Sequence, residues 1–257
     1  MSVPSGTSSA LRARDACLFD LYGTLVDIHT DENQPSLWQR MAGFAASQGA
    51  DYGAGALRKA YLAAVENEAA RLRERDRGIP GACPEVDLAP VFARLYRDKG
   101  LEADGALIAE TALLFRRAST THLRCYAGAR ELLDALRRNG SKVLLLSNAQ
   151  SLFTRPELLE LGLADAFDGV FLSSEAGVQK PDPRFFRLPL AKYSLNPSRC
   201  LMIGNDPVCD GLGAQAVGMP SWIIRSALSP RGCRDGYDQD GMDLRKLQSL
   251  LLSKKQP

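Results

Sequence analysis

The feature that most constrains the fold is a series of short apolar runs that alternate with helix-like stretches. Continuous apolar runs of four to six residues are typical of strands that are buried on both faces of a sheet. Strands that alternate with helices predict right-handed crossovers and a parallel sheet. The sequence therefore predicts an α/β fold with a parallel, Rossmann-like core. The runs are 17–19 (CLF), 142–147 (KVLLLS), 169–173 (GVFLS), 200–204 (CLMIG) and 221–225 (SWIIR).

A long block without a convincing strand separates the first run from the second. We expect residues 29–121 to form an inserted all-helical cap domain, because apolar residues recur there at helical spacing. Since the block directly follows the first strand and its turn, the cap is expected to lie over the crevice as a lid. The predicted helices are one capped by Ser36 that carries Leu37, Met41 and Phe44, then 54–75, 88–99 with Asp87 as its cap, and 103–119.

The rest of the chain is assigned to the core. We expect the α/β catalytic core to comprise residues 15–28 and 122–257, preceded by a flexible tail over 1–14. Helices are predicted within it over 128–139, 156–161, 183–193 and 211–217. After a polar stretch over 232–241, a closing amphipathic helix carries Leu244, Leu247, Leu250 and Leu251.

Composition narrows the class of protein. The 257 residues are 45% hydrophobic and 24% charged, with a formal net charge of +2, which gives no reason to expect a nucleic-acid or membrane partner. No apolar run approaches the roughly 18 residues of a membrane span, and the N-terminal stretch lacks the apolar region of a secretory signal. None of the six cysteines forms a CxxC pair, so we expect reduced thiols, no zinc site and a cytoplasmic protein.

Polar residues follow four of the predicted strands. Ligands of open α/β sheets bind outside the carboxyl ends of the strands, so these side chains are candidates for one common site. Each of them also has a simpler interpretation as a turn, cap or solvated loop residue. The four groups in order are Asp20 with Thr24, Ser147 with Asn148, Lys180, and Asp206 with Asp210.

These motifs resemble the haloacid dehalogenase superfamily over about residues 16–225. They occur in the family's order as FDLYGT, LLLSN, KPDP and IGNDPVCD, and the helical insertion is similar to the cap of one large subgroup. The resemblance implies a hydrolase in which Asp20 is the nucleophile and forms a covalent aspartyl intermediate. It also implies that Lys180 balances the negative charge of the nucleophile and of the substrate.

The resemblance implies roles for the other motif residues as well. Thr24 and Ser147 would hydrogen-bond the transferring group, and Asn148 would help to orient it. A Mg²⁺ ion would be bound by Asp20, the backbone carbonyl of Tyr22, and Asp206 with Asp210 in support. The expected substrate is a small phosphorylated compound.

The first motif departs from the phosphatase pattern at Tyr22. Phosphatases of this family usually carry there a second Asp that protonates the leaving oxygen, and a phenol is a poor substitute at neutral pH. A Tyr at this place resembles the metal-free 2-haloacid dehalogenases. Those enzymes, however, have a Ser/Asn-rich fourth motif, and they carry a second Tyr at the position where this chain has Phe186. A dehalogenase-like hydrolase, and a catalytically weak member that binds a ligand or partner, therefore stay open as alternatives.

Two further features follow from the missing acid and from the cap. A proton could come from His29, Asp31 or Glu32, just past the first motif, or the substrate could carry a good leaving group. The arginine-rich stretch 71–78 (RLRERDRG) is a candidate anion site, although its interleaved acids favour a solvated helix end. The physiological substrate and the oligomeric state are left open by the sequence.

Overall fold

The computed structural model describes residues 14–233 and 235–252 of the chain. A six-stranded sheet is formed by β1 (Ala16–Phe19), β4 (Lys142–Ser147), β5 (Gly169–Leu172), β6 (Cys200–Gly204), β7 (Ser221–Arg225) and β8 (Gln239–Asp240). The strand order is β5-β4-β1-β6-β7-β8, and every neighbouring pair is parallel. The predicted α/β fold with a parallel core is confirmed. The short β8 lies in the stretch that was predicted only as polar.

Helices account for about half of the remaining described residues. Four lie between the first and second predicted strands: α1 (Pro35–Ser47), α2 (Ala54–Arg75), α3 (Leu88–Arg97) and α4 (Gly105–Ser119). We call these four helices the cap. The others are α5 (Ala129–Arg138), α6 (Ser151–Glu160), α7 (Ser173–Ala176), α8 (Pro183–Lys192), α9 (Gly213–Gln215) and α10 (Leu244–Leu252).

Both faces of the central sheet are buried by helices. In β1, Cys17 and Phe19 pack into a cluster that includes residues of α5 and α10. Leu18 points to the opposite face, where Phe185 and Phe186 of α8 cover it. This alternation explains why the strands are apolar at every position rather than at every second one.

The cap has an aromatic core of its own. Trp38, Tyr61, Phe92 and Phe115 pack with ring centroids 5.3–5.8 Å apart. Phe153 of α6 stacks on Phe115 at 6.2 Å and so joins this cluster to the core. Cap and core are therefore held together by apolar contacts directly beside the predicted crevice. The exact bounds of the two domains stay a prediction.

The prediction that no strand interrupts residues 29–121 is wrong at both ends. Strand β2 (Val26–Thr30) runs into the block, and β3 (Thr120–Cys125) begins within it. The two strands pair antiparallel and form the stem that carries the cap. Their pairing joins residues almost a hundred positions apart and is reinforced by the cross-strand ion pair of Asp27 with Arg124, at 2.7 Å.

Several helix ends also differ from the prediction. Helix α1 begins at Pro35 after Gln34, so Ser36 is not its cap, whereas Asp87 does cap α3 by accepting from Ala89 N. Helix α6 begins at Ser151 rather than at residue 156, because Pro156 is accommodated inside the helix. The predicted helix over 211–217 is a π-helical segment, Pro207–Leu212, followed by the single turn of α9.

The described residues contain no helix with the length and apolar character of a membrane span. All six cysteines are free thiols. The predicted tail over 1–14, apart from Arg14, lies outside the described residues.

Candidate active site

The four predicted groups meet at the carboxyl ends of β1, β4 and β6. Asp20 directly follows β1, and its amide donates to Ile203 O of the neighbouring strand β6. Asp20 Oδ1 accepts hydrogen bonds from Ser147 Oγ at 3.1 Å and from Lys180 Nζ at 2.8 Å. Thr24 Oγ1 lies 3.4 Å from the other oxygen, Oδ2. The Asp20 carboxylate is therefore anchored mainly through one of its two oxygens.

Lys180 connects two carboxylates in the interior of the site. Its Nζ donates to Asp20 Oδ1 and, at 2.6 Å, to Asp210 Oδ1, and the lysine is only 2% exposed. Burial by itself would lower the pKa of Lys180, but the charges of Asp20 and Asp210 raise it above the ordinary value. Burial raises the pKa of Asp210, and Lys180 opposes that effect. Lys180 is therefore held as a cation beside the candidate nucleophile.

Asn148 contacts the backbone of Lys180. Its Nδ2 donates to Lys180 O at 3.0 Å, and its Oδ1 accepts from Lys180 N at 2.8 Å. These two bonds fix the loop that carries the lysine to the end of β4. The expectation that Asn148 orients the transferring group stays a prediction, and the contacts give the residue a positioning role.

The fourth motif forms a tight turn around Asp210. Asp210 Oδ2 accepts from the amides of Asn205 and Asp206, each at 3.0 Å. A Cβ atom on Gly204 would lie 2.0 Å from Asp210 Oδ2, so only glycine fits there. Asp206 Oδ1 accepts from Val208 N and Cys209 N and so caps the π-helical segment.

The oxygen donors of the site fit a Mg²⁺ ion with few protein ligands. Among residues 14–233 and 235–252, no nitrogen or lysine donor engages Oδ2 of Asp206 or Oδ2 of Asp20, whereas both oxygens of Asp210 are engaged by Lys180 and by backbone amides. In the first turn the amides of Thr24, Leu25 and Val26 donate to Leu21 O and that of Gly23 donates to Val26 O, so none of the four donates to Tyr22 O. No group of three or more His, Cys, Asp or Glu side chains in the described parts of the chain is arranged to hold a metal by itself. Mg²⁺ usually retains several waters and takes one or two carboxylates.

Tyr22 points into a buried cluster between cap and core. Its hydroxyl donates to Glu157 Oε2 of α6 and lies 3.0 Å from Thr154 Oγ1. Glu157 Oε1 also accepts from Arg116 Nε of α4 at 2.5 Å, and the Arg116 guanidinium lies 5.4 Å from the centre of the Tyr22 ring. We call Tyr22, Arg116 and Glu157 the cap–core junction. Burial is the main cause that raises the pKa of Tyr22, with the Glu157 charge adding to it.

Two adjoining cavities surround these groups. The nucleophile cavity, of about 180 Å³, contains the polar residues Asp20, Ser147, Asn148, Lys180, Asn205, Asp206 and Asp210 in its lining. The adjacent cavity, of about 470 Å³, shares Tyr22, Asn148 and Leu228 with it. A compound whose phosphate lies at Asp20 therefore has room for its organic part in the adjacent cavity.

The remaining sequence candidates are distributed unevenly. His29 and Glu32 line the adjacent cavity, whereas the carboxylate of Asp31 accepts from Asn33 N in a turn. Phe186 is fully buried against Gly213 in the core and presents no hydroxyl to the site. The arginines of the stretch 71–78 form ion pairs with acidic side chains close in sequence.

Sequence reasoning missed the junction partners and one lining residue. Glu157 occupies a buried position on α6 beside Phe153, Thr154 and Leu158. An acidic residue on the apolar face of a helix was the available signal, because a buried carboxylate requires a partner. Arg116 gave no comparable signal in the cap helix. Asn205 was inside a recognised motif but was not singled out.

Comparison with known proteins identifies the family. The family described as haloacid dehalogenase-like hydrolase matches residues 14–218. The chain is 34% identical over 158 residues to a phosphoserine phosphatase of Thermus thermophilus, with 61% of each chain covered. It is 30% identical over 128 residues to a glyceraldehyde 3-phosphate phosphatase of Pyrococcus furiosus, covering 50% of this chain and 53% of that protein. The matches thus span less than two thirds of these relatives' own length.

Solved structures agree on the fold. A 2-haloacid dehalogenase from Pseudomonas syringae superposes with a TM-score of 0.62 at 19% identity, covering 93% of this chain and 98% of that chain. A HAD phosphatase from Thermococcus onnurineus gives 0.57 at 21% identity, with the same coverage. Phosphatases and dehalogenases thus share this architecture, and it alone does not separate the two activities. On its sequence and its fold, the chain belongs to the haloacid dehalogenase-like hydrolases.

Proposed function

We propose that the chain is a Mg²⁺-dependent hydrolase of a small phosphorylated compound and that Asp20 forms an aspartyl-phosphate intermediate. The observation that carries the proposal is the unequal bonding of the Asp20 carboxylate. Oδ1 is held by Lys180 and Ser147, whereas the one contact of Oδ2 within the described part of the chain is the long one to Thr24. An anchored carboxylate with one oxygen free of strong donors is suited to attack phosphorus.

The proposed reaction has two displacement steps. Oδ2 of Asp20 attacks phosphorus, the new oxygen–phosphorus bond forms, and the leaving oxygen departs with the electron pair of its bond. Water then attacks the phosphorus of the acyl phosphate, releases inorganic phosphate and regenerates the carboxylate, and its proton passes to solvent. Lys180 remains charged throughout and offsets the repulsion between the nucleophile and the substrate anion.

For the metal we propose Asp20, Asp206 and the Tyr22 carbonyl as ligands, with Asp210 supporting them through Lys180 and the turn amides. Mg²⁺ bound there supplies positive charge where a carboxylate and a phosphoryl group otherwise repel one another. Asp206 supports this assignment, because the backbone amides of Val208 and Cys209 engage its Oδ1 and not its Oδ2, while Oδ2 of Asp20 serves as the attacking oxygen.

Tyr22 is not suited to protonate the leaving oxygen. Its hydroxyl is bound to Glu157, and its raised pKa makes it a weaker acid than a free phenol. We therefore propose substrates whose leaving oxygen needs little protonation, such as an acyl phosphate or the phosphate ester of a phenol. His29 remains a candidate for a proton donor because it lines the adjacent cavity.

A metal-free dehalogenase activity is the second candidate, and Tyr22 is the observation that favours it. A halide leaves without a proton, so no acid is needed. Two features count against it: the buried Phe186 in place of a tyrosine, and the paired carboxylates beside Lys180. Halide release that is unaffected by removing Mg²⁺ would favour this candidate.

The test is hydrolysis of phenyl phosphate with and without Mg²⁺. Replacement of the nucleophile in Asp20→Asn is expected to lower kcat by about 10³-fold or more. Asp31→Asn is the matched control, because that carboxylate lies in a turn outside both cavities. Turnover that is indifferent to Mg²⁺ or to Asp20→Asn would refute the proposal. Ligand binding without any turnover would support the catalytically weak alternative.

A further inference from the structure

The adjacent cavity has a distinct charge pattern. Among the described residues that line it, Arg116 and Glu32 are the two that carry a formal charge when His29 is counted as neutral. The remainder of its lining combines apolar side chains with small or already bonded polar groups. The electrostatic character of the cavity is therefore decided by how these two charges are compensated.

The charge of Arg116 is already compensated by the cap–core junction. Its Nε and Nη2 donate to the two oxygens of Glu157 at 2.5 and 3.3 Å. Its guanidinium also lies between the rings of Tyr22 and Phe153, with centroid distances of 5.4 and 5.2 Å. Both side chains of the ion pair are largely buried, at 15% and 7% exposure. Arg116 is consequently a poor receptor for a second carboxylate.

Glu32 has no such compensation. Its backbone carbonyl accepts from Trp38 Nε1 at 2.8 Å, which fixes the segment at the cavity wall. Within residues 14–233 and 235–252, no side chain forms an ion pair or a hydrogen bond with its carboxylate. Glu32 is an exposed residue of the cavity wall. Desolvation raises the pKa of its carboxyl and the charge of Arg116 lowers it, so the carboxylate lies within electrostatic reach of the junction.

From this arrangement we infer that the adjacent cavity selects phosphorylated compounds whose organic part is uncharged or cationic, and that Glu32 determines this selection. Arg116, Glu157 and Glu32 together carry one net negative charge. The apolar walls formed by Ile28, Leu88 and Phe153 suit a carbon skeleton of several atoms. A substrate ammonium or hydroxyl group would donate to Glu32, whereas a substrate carboxylate would meet an unpaired negative charge. The inference rests on the proposed function and assigns a substrate class to its site.

Three aryl phosphates with matched leaving groups test the inference. They are the para-substituted phenyl phosphates with an aminomethyl, a methyl or a carboxymethyl group, which differ in charge and by at most three non-hydrogen atoms in size. Wild-type kcat/KM is expected to be at least about 10-fold higher for the aminomethyl than for the carboxymethyl compound, with the methyl compound between them. In Glu32→Gln this ratio should fall to about 2-fold or less.

Asp31→Asn is the matched control, because it removes a neighbouring carboxylate that does not line the cavity. This variant should keep the wild-type ratio. Equal turnover of the three compounds by the wild type, a preference for the carboxymethyl compound, or a ratio that Glu32→Gln leaves unchanged would each overturn the inference.

Binding measurements separate a failure of the inference from a failure of the proposed function. Calorimetric titration of Asp20→Asn with the same three phosphates should give the same order of affinity, and the Glu32→Gln change in that background should remove it. If no phosphate is hydrolysed but this order of affinity holds, the proposed function fails and the inference stands. If the phosphates are hydrolysed but the aminomethyl compound is not preferred over the carboxymethyl compound, the inference alone fails.

Discussion

The cap–core junction makes a quantitative prediction about stability. Glu157→Gln keeps the shape of the side chain but removes the charge that pairs with Arg116. The pair is largely buried, and its shorter contact is 2.5 Å. Removing one partner of a buried ion pair typically costs 3–5 kcal/mol, because the other charge stays desolvated. Since Arg116 keeps 15% of its side chain exposed, we expect the lower end, about 3 kcal/mol.

A double-mutant cycle separates the ion pair from general disruption of packing. Arg116→Met removes the other charge and keeps most of the apolar length of the side chain. The variant with both changes has no uncompensated charge, so its loss of stability should be smaller than the sum of the two single losses by about 1.5 kcal/mol or more. Single losses that add to within about 0.5 kcal/mol would refute an energetically coupled pair.

The assay is urea unfolding followed by tryptophan fluorescence. The chain has two tryptophans, and they report on different parts of the molecule: Trp38 lies in the cap cluster and Trp222 in the core cluster. Separate Trp38→Phe and Trp222→Phe backgrounds therefore show whether cap and core unfold together, which decides if a two-state analysis applies. At about 2–4 °C per kcal/mol, the expected loss in Glu157→Gln corresponds to a fall in Tm of about 6–12 °C.

Three further predictions concern pH, packing and catalysis. Hydrogen bonds from Arg75 and Arg184 lower the pKa of Asp76 to about 2. Its contribution to stability is therefore present above about pH 4 and is lost as the pH falls towards 2, so the Tm difference between wild type and Asp76→Asn should shrink over that range. Gly204→Ala should cost 1–3 kcal/mol or more in urea unfolding, because its Cβ would collide with Asp210, whereas Gly55→Ala, on an open helix surface, should be neutral or stabilising. Tyr22→Asp should raise kcat for an alkyl phosphate by about 10²-fold if the missing acid limits the rate, and no gain in a folded variant that still binds Mg²⁺ would contradict that explanation.

The core elements could be predicted because their signals are local. Each sheet strand except β8 is a compact apolar run, and its burial on both faces follows from the alternation with helices. Strands β2 and β3 were missed because they contain polar residues such as His29 and Arg124 and depend on pairing across the whole cap. The π-helical turn was missed for a related reason, since it arises from the cap that Asp206 forms and from the bonds to Asp210.

The candidate site was predictable to the extent that its residues follow strand ends. Asp20, Ser147 and Lys180 meet because parallel strands bring their carboxyl ends to one edge of the sheet. The role of Asn148 was not predictable, because its partner is a backbone that lies next to it only in the folded chain. The same holds for Arg116 of the cap helix α4 and Glu157 of α6, which are far apart in the sequence and meet only in the folded chain.

Position 22 connects these results. In the sequence, Tyr22 stands where related phosphatases carry an acid, and in the fold its hydroxyl donates to Glu157 rather than to Asp20. The junction that binds it also neutralises Arg116, which leaves Glu32 as the uncompensated charge of the adjacent cavity. Tyr22, which replaces the expected acid, thus belongs to the same cap–core junction that neutralises Arg116 beside the adjacent cavity. A substrate suited to this site would combine a leaving oxygen that needs little protonation with an uncharged or cationic organic part, and both requirements have the same structural origin.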